Sequence, residues 1–222
     1  MIMAGIDEAG RGPAIGPLVI AVAVASEDKL ERLRGIGVRD SKQLTPERRR
    51  ELFNKITSIL DDYFILKVWP QEIDSRKGSM NELEVEKFAQ ALNSLNVRPQ
   101  IIYADAADVK AERFAKAIKA RLSYEADVIA EHKADAKYPI VSAASILAKV
   151  TRDEEVEKLK EEYGDFGSGY PSDPRTRMWL EGWFKVHRSF PPIVRRTWDT
   201  VKRIEEKYKG EQLTLDKFFK KS

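Results

Sequence analysis

An apolar run at residues 2–7 ends on two adjacent carboxylates, Asp7 and Glu8, and gives way at once to Gly10, Arg11 and Gly12. Its brevity and apolar character read as a buried strand. A second apolar run at 17–25 follows the Gly- and Pro-rich segment 10–16, so the two read as an antiparallel pair at the start of the fold. Asp7 and Glu8 can hold a divalent cation, while the glycines let backbone amides, and Arg11 its guanidinium, come close to a polyanion. That pairing of acid and base outlines nuclease chemistry.

Further strands read at 63–68, 100–105 and 126–131. Thr45-Pro46 resembles an N-cap followed by proline at the first helical position, after which Leu52, Phe53, Ile56, Ile59 and Leu60 recur at helical spacing. Helices read at 80–95, with Leu83, Phe88, Ala91, Leu92 and Leu95 inward, and at 111–122, 140–163, 175–186 and 197–208. Strands alternating with helices argue an α/β fold. Residues 164–174 are too rich in Gly and Pro for either element and read as a functional loop. We therefore expect one catalytic domain over 1–208 and a tail over 209–222.

There is no cysteine, and His132 and His187 are the only histidines, so disulfides, thiolate metal sites and multi-histidine zinc sites are excluded. Any metal must be held by oxygen. The apolar stretch 18–25 is too short to span a bilayer and the start lacks a signal-peptide pattern, which leads us to expect a cytoplasmic monomer without membrane contact. The net charge of +3 is uneven, because residues 174–203 carry eight Lys or Arg against Glu181 and Asp199. Trp179, Trp183, Phe184, Phe190 and Trp198 are interleaved with those cations. Two readings fit: a grip on a phosphate backbone, or an amphipathic helix with a solvated basic face and buried tryptophans.

Asp105 ends the strand at 100–105, and Asp135 precedes the helix at 140. Side chains at strand ends in α/β sheets converge, so these two acids can join Asp7 and Glu8. Oxygen ligation favours Mg²⁺ or Mn²⁺, and two such ions roughly 4 Å apart can support in-line hydrolysis of a phosphodiester. Without metal the carboxylates repel, so at least one pKa should be raised and metal binding should weaken in acid. Neighbours in a regular strand point to opposite faces, so either the strand ends or bulges at Asp7 and Glu8, or one of them has another task. Solvated or helix-capping acids are the plainer alternative.

Several segments together resemble ribonuclease HII in its archaeal single-chain form, from residue 2 to about residue 198. They are Gly5-Ile-Asp-Glu-Ala-Gly-Arg-Gly-Pro13, Asp40-Ser-Lys-Gln-Leu44, Asp105, Ala134-Asp135, Ser142-Ala-Ala-Ser-Ile-Leu-Ala-Lys149, Arg152-Asp153 and Gly167-Ser-Gly-Tyr-Pro171. With no extra domain expected before the first strand, the sister ribonuclease HIII fits less well. The resemblance implies a ribonuclease H-like fold, a mixed five-stranded sheet flanked by helices, with additional C-terminal helices. It implies that Asp7, Glu8, Asp105 and Asp135 bind two divalent ions, Mg²⁺ or Mn²⁺. The implied activity is endonucleolytic: cleavage of the RNA strand of RNA/DNA hybrids and incision 5′ of single ribonucleotides in duplex DNA. The ends left are 5′-phosphate and 3′-hydroxyl, and the implied roles are removal of RNA primers and of misincorporated ribonucleotides. Gly10, Arg11 and Gly12 match the segment that reads a ribose 2′-hydroxyl, and Tyr170 matches the tyrosine that packs on the following sugar. Lys42 and Lys149 match lysines near the bound strand. Each also has a plainer reading: the glycines shape a turn, Tyr170 anchors its loop, and Lys42 lies on the surface. His132 is left out of the catalytic set, because such a histidine commonly satisfies a backbone group.

Beyond Lys209-Gly210, where the preceding helix should end, Gln212, Leu215, Phe218 and Phe219 resemble the clamp-binding box of archaeal and eukaryotic replication proteins. One helical turn would bring Leu215, Phe218 and Phe219 together as a plug for the sliding clamp (PCNA), the alternative being a tail folded back on its own domain. Two rival functions remain: an accessory protein that binds nucleic acid without cutting, and a DNA junction nuclease sharing the sheet. The four acids weigh against the first rival, and the Gly10 to Gly12 segment with Tyr170 against the second.

Overall fold

A computed structural model describes residues 1–38, 44–106, 108 and 110–219, the last nine by their backbone alone. The elements are β1 (Ile2–Ala9), β2 (Leu18–Ser26), α1 (Glu27–Gly35), α2 (Pro46–Ile59), β3 (Asp62–Val68), α3 (Pro70–Asp74) and α4 (Met80–Asn93). They continue with β4 (Ile101–Asp105), α5 (Ala111–Lys119), β5 (Asp127–Glu131), α6 (Ala134–Lys137), α7 (Pro139–Tyr163), α8 (Pro174–His187) and α9 (Asp199–Phe219). The strands form one mixed sheet in the order β3-β2-β1-β4-β5. β1 pairs antiparallel with β2 from Ile2↔Ser26 to Ala9↔Val19 and parallel with β4, which in turn runs parallel to β5. This is the ribonuclease H-like sheet that the sequence led us to expect.

Local chemistry sets most element starts. The Thr45 hydroxyl accepts from the Arg48 N–H at 3.3 Å with Pro46 at the first helical position, and α4 opens on a capping box between Ser79 and Glu82. The elements that periodicity does not reveal, α1, α3 and α6, are short, and α1 buries only Leu33, leaving almost no apolar repeat to read.

The chain divides into two compact units. The first comprises Met1–Gly10, Leu18–Val68 and Arg76–Glu154 and contains the whole sheet. One face of β2, built from Val19, Ala21, Ala23 and Ala25, packs in a fully apolar cluster with Leu52 and Ile56 of α2 and Val141, Ala144, Leu147 and Ala148 of α7. Small residues let helix and sheet approach closely. Gly5 is the extreme case, since a Cβ there would sit 2.4 Å from the Ile140 carbonyl carbon. β1 is thereby seated against the start of α7 with no room for a side chain.

The second unit comprises Arg11–Pro17, Trp69–Ser75 and Glu155–Ser222. Its core gathers Ala14, Ile15, Phe166, Leu180, Phe184, Phe190 and Val201. On α8 the rings of Trp179, Trp183 and His187 stack at helical spacing, 5.2 and 4.3 Å apart, and the Trp179 indole donates to the Tyr163 carbonyl. Phe184 and Phe190 are buried in that core, whereas Trp179, Trp183 and Trp198 are half-buried and His187 is exposed, so the buried tryptophans of the plainer reading are met only in part.

Helix α9 differs from expectation by continuing through Gly210 to Phe219 rather than stopping near Tyr208. A mid-helix glycine costs only about 1 kcal/mol relative to alanine, no proline follows it, and Lys209 pairs with Glu205 one turn back at 2.7 Å. Among the described residues no helix is long and apolar enough to cross a membrane.

Candidate metal centre and substrate-reading loop

β1 and β4 run parallel, with Ile6 opposite Ala104, so the next residue on each, Asp7 and Asp105, emerges at the same end of the sheet. Asp135 arrives from α6, and its backbone N–H donates to Asp105 Oδ2 at 3.3 Å. One carboxylate oxygen from each of Asp7, Asp105 and Asp135 lies within 4.8 Å of the others. Asp7 and Asp135 are buried, at 7% and 5% exposure.

Glu8 stands outside this group of three. β1 neither ends nor bulges there: Asp7 pairs with Ala21, Glu8 with Ile20 and Ala9 with Val19 in unbroken register. Regular alternation then turns the two neighbouring side chains to opposite faces. Glu8 still bears on the site, since its N–H donates to Asp7 Oδ1 at 2.8 Å and its charge acts on that carboxyl.

Burial, followed by the charges of Glu8 and Asp105, holds the Asp7 carboxyl well above the usual carboxylate range. The Glu8 N–H opposes that shift by hydrogen bonding, and the nearby Ser145 hydroxyl, buried without a hydrogen-bond partner among the described residues, opposes it less. Three carboxylate oxygens crowded together, two of them from buried residues, form the hard, anionic donor set that Mg²⁺ or Mn²⁺ prefers, so the residues fit either ion. Ser145 was not singled out in the sequence, although a serine inside the apolar run Ala143 to Ala148 is the signal that could have found it.

A second network steadies the element carrying Asp135. Glu131 pairs in register with Asp105 and accepts from Lys137 Nζ at 2.6 and 2.9 Å and from the Tyr138 hydroxyl at 2.8 Å. Tyr138 in turn stacks on Tyr103 at 4.2 Å. These contacts pin both ends of the turn around α6 and offset the Glu131 charge beside the cluster. His132 Nδ1 lies 3.2 Å from the Ala106 carbonyl, the backbone-satisfying arrangement expected of it. Lys149 lies half-buried on α7 one turn after Ser145, while Lys42 falls outside the described residues.

In the second unit, Gly12 and Tyr170 are brought together. A Cβ on Gly12 would lie 3.1 Å from the Tyr170 ring, which is 43% exposed. The Ala14 N–H donates to the Gly169 carbonyl at 2.8 Å, tying the two loops, and Gly169 N–H is held by the buried Thr176 hydroxyl. Arg195 donates from Nη1 to the Arg11 carbonyl at 2.8 Å and from Nε to the Gly16 carbonyl at 3.0 Å. The Trp198 indole donates to the Gly12 carbonyl at 2.9 Å. Arg195 has no exposed surface, so this member of the basic segment does not face a phosphate backbone. Only its aliphatic context, after Ile193 and Val194, hinted at that in the sequence. The side chains of Gln212, Leu215, Phe218 and Phe219 lie outside the described ones, and the backbone there is helical.

The family model for ribonuclease HII matches residues 4–201. Ribonuclease HII of Pyrococcus furiosus is 70% identical, with all of both chains covered. The crystal structure of ribonuclease H2 from Pyrococcus horikoshii superposes with a TM-score of 0.92 at 67% identity, over 94% of this chain and 99% of that one. The ribonuclease HII in a PCNA complex from Archaeoglobus fulgidus superposes with a TM-score of 0.82 at 46% identity, over 91% and 96% of the two chains.

Proposed function

This chain belongs to the ribonuclease HII family, and from that premise we propose how this ribonuclease H chooses and cuts its substrates. It cleaves the RNA strand of RNA/DNA hybrids and incises 5′ of single ribonucleotides in duplex DNA, leaving 5′-phosphate and 3′-hydroxyl ends. In the cell these reactions serve removal of RNA primers and of misincorporated ribonucleotides in the cytoplasm. The observation that carries the reading is the convergence of Asp7, Asp105 and Asp135, with one oxygen of each within 4.8 Å of the others.

Asp7, Asp105 and Asp135 would hold two Mg²⁺ or Mn²⁺ ions, with Glu8 completing the set from the adjoining position. Such ions supply charge neutralisation at the phosphate and an activated water. The protein's own part is to hold the carboxylates before substrate arrives: Asp105 is fixed by the Asp135 amide, and Asp7 by the Glu8 amide. Gly10, Arg11 and Gly12 read the ribose 2′-hydroxyl through backbone groups, and Tyr170, packed on Gly12, offers an exposed ring to the next sugar. Lys149 and Lys42 contact phosphates of the bound strand.

The tail is a clamp-binding element, with Gln212, Leu215, Phe218 and Phe219 as the residues that enter the PCNA pocket. Support comes from the spacing of these residues, from the helical backbone of α9 at these positions and from the PCNA complex of the Archaeoglobus fulgidus relative.

The decisive assay compares duplex DNA containing one ribonucleotide with the all-deoxy duplex, in Mg²⁺ or Mn²⁺. Cutting confined to the 5′ side of the ribonucleotide is expected. Equal cutting of both duplexes would remove the ribose-reading claim, and cutting of neither would favour an accessory protein that binds nucleic acid without cutting it. Asp7→Asn and Asp105→Asn should each abolish turnover while leaving duplex binding intact, and retained activity in either would overturn the metal assignment.

A further inference from the structure

We propose that Arg195 and Trp198 are positioning residues for ribose discrimination, setting the orientation of the Arg11 to Gly16 loop from behind. This inference rests on the reading of that loop given above and adds the residues that make it work.

Four carbonyls of one short loop are held by two neighbouring residues. Those of Arg11 and Gly16 accept from the Arg195 guanidinium, that of Ala14 from the Arg195 backbone N–H at 2.8 Å, and that of Gly12 from the Trp198 indole. The Arg195 guanidinium also lies 4.9 Å from the Trp198 ring centroid, so the two donors brace each other. In a trans peptide the C=O and the following N–H point in opposite directions. Drawing the Arg11 carbonyl onto Arg195 therefore turns the Gly12 N–H away from Arg195, out of the packed side of the loop. The Gly12 carbonyl precedes Pro13, which has no N–H, so its bond to Trp198 serves only to fix the chain's path. A fully buried guanidinium is costly to desolvate, and here two of its hydrogen bonds go to main-chain oxygens of a glycine-rich turn. The result is a backbone amide whose direction does not depend on exposed side chains, as recognition of a single hydroxyl requires.

The test uses Trp198→Phe, which keeps the ring and removes one donor, and Arg195→Lys, which keeps the charge and loses the fork. Equilibrium binding to the single-ribonucleotide duplex and to the all-deoxy duplex is measured in Ca²⁺, with melting temperature and Mn²⁺ affinity recorded alongside. Each variant should lose about fivefold to tenfold of the preference for the ribonucleotide duplex, with all-deoxy affinity and Mn²⁺ affinity unchanged. A folded Trp198→Phe protein that keeps the wild-type preference, or weakens equally on both duplexes, overturns the proposal even where Arg195→Lys fails to fold. Gly12→Ala separates the two layers of argument. Loss of preference in Gly12→Ala but not in Trp198→Phe or Arg195→Lys defeats the positioning role alone, whereas wild-type preference in Gly12→Ala defeats the loop reading and this proposal together.

Discussion

The backbone N–H of Asp135 donates to the Asp105 carboxylate at 3.3 Å, so an acid at the end of β4 is held by the main chain of the residue that carries the next acid. A neutral donor placed inside a cluster of like charges lowers the cost of assembling it, and it does so without adding a side-chain cation that would compete for the metals. The same device recurs at Asp7, whose carboxylate takes the Glu8 amide at 2.8 Å.

These donors do not cancel the repulsion at Asp7, whose pKa stays raised by burial and by the charges of Glu8 and Asp105. A raised carboxyl favours the folded state while protonated, so its contribution is full below the ordinary aspartate value of about 3.9 and is lost as pH rises through the raised value. In EDTA, Asp7→Asn should therefore raise the melting temperature at about pH 8 and give no gain near about pH 4. Calorimetric titration of the wild type should show Mn²⁺ affinity falling as pH drops, because protons compete for the same oxygens. A variant melting below the wild type at the higher pH would contradict the assignment.

Ser145→Ala removes a fully buried hydroxyl near Asp7 that has no hydrogen-bond partner of its own among the described residues. A buried hydroxyl beside a metal-binding carboxylate can support it from behind, and loss of such support costs about 10- to 100-fold in metal affinity or activity. Steady-state kinetics over a Mn²⁺ series should show a higher metal requirement with near-normal turnover at saturation. An unaltered metal dependence would reduce Ser145 to a packing residue.

Gly5→Ala should damage both stability and activity. The new Cβ would meet the backbone of Ile140 and Val141 at 2.4 to 2.5 Å, and backbone cannot rotate aside as a side chain can. Overpacking of this kind costs about 1–3 kcal/mol or more, readable by urea denaturation. Since Gly5 lies two residues before Asp7 on the same strand, the displacement should also lower turnover in the folded fraction.

Phe218→Ala with Phe219→Ala should cost most of the affinity for PCNA, measured by calorimetry, while leaving cleavage of a short ribonucleotide duplex unchanged. Burial of each ring contributes roughly 2–3 kcal/mol before ordering costs, so the double variant should bind beyond the measurable range. Unchanged clamp affinity would refute the role of the tail.

The sequence by itself determined the strands, the main helices and the candidate acids, because these depend on short-range order. The apolar runs at 2–7, 17–25, 63–68, 100–105 and 126–131 became β1 to β5 within a residue or two at each end, and Thr45-Pro46 and Ser79 start helices by bonds reaching only three residues ahead. Elements with no apolar period, such as α1, escaped that reading, and so did the persistence of α9 through Gly210, because a single mid-helix glycine costs too little to mark an end. The site shows the same divide. Asp7, Asp105 and Asp135 could be named in advance, but only the packed strands could bring these three within 4.8 Å of one another and leave Glu8 outside that group, acting on Asp7 through its amide and its charge. Ser145 and Arg195 acquire their roles from atoms 138 and 184 positions away, in Asp7 and Arg11. Composition and periodicity carry propensity and amphipathicity; which hydroxyl meets which carboxylate, and which arginine is buried under which loop, is settled when helix and sheet pack and distant backbone groups find their donors.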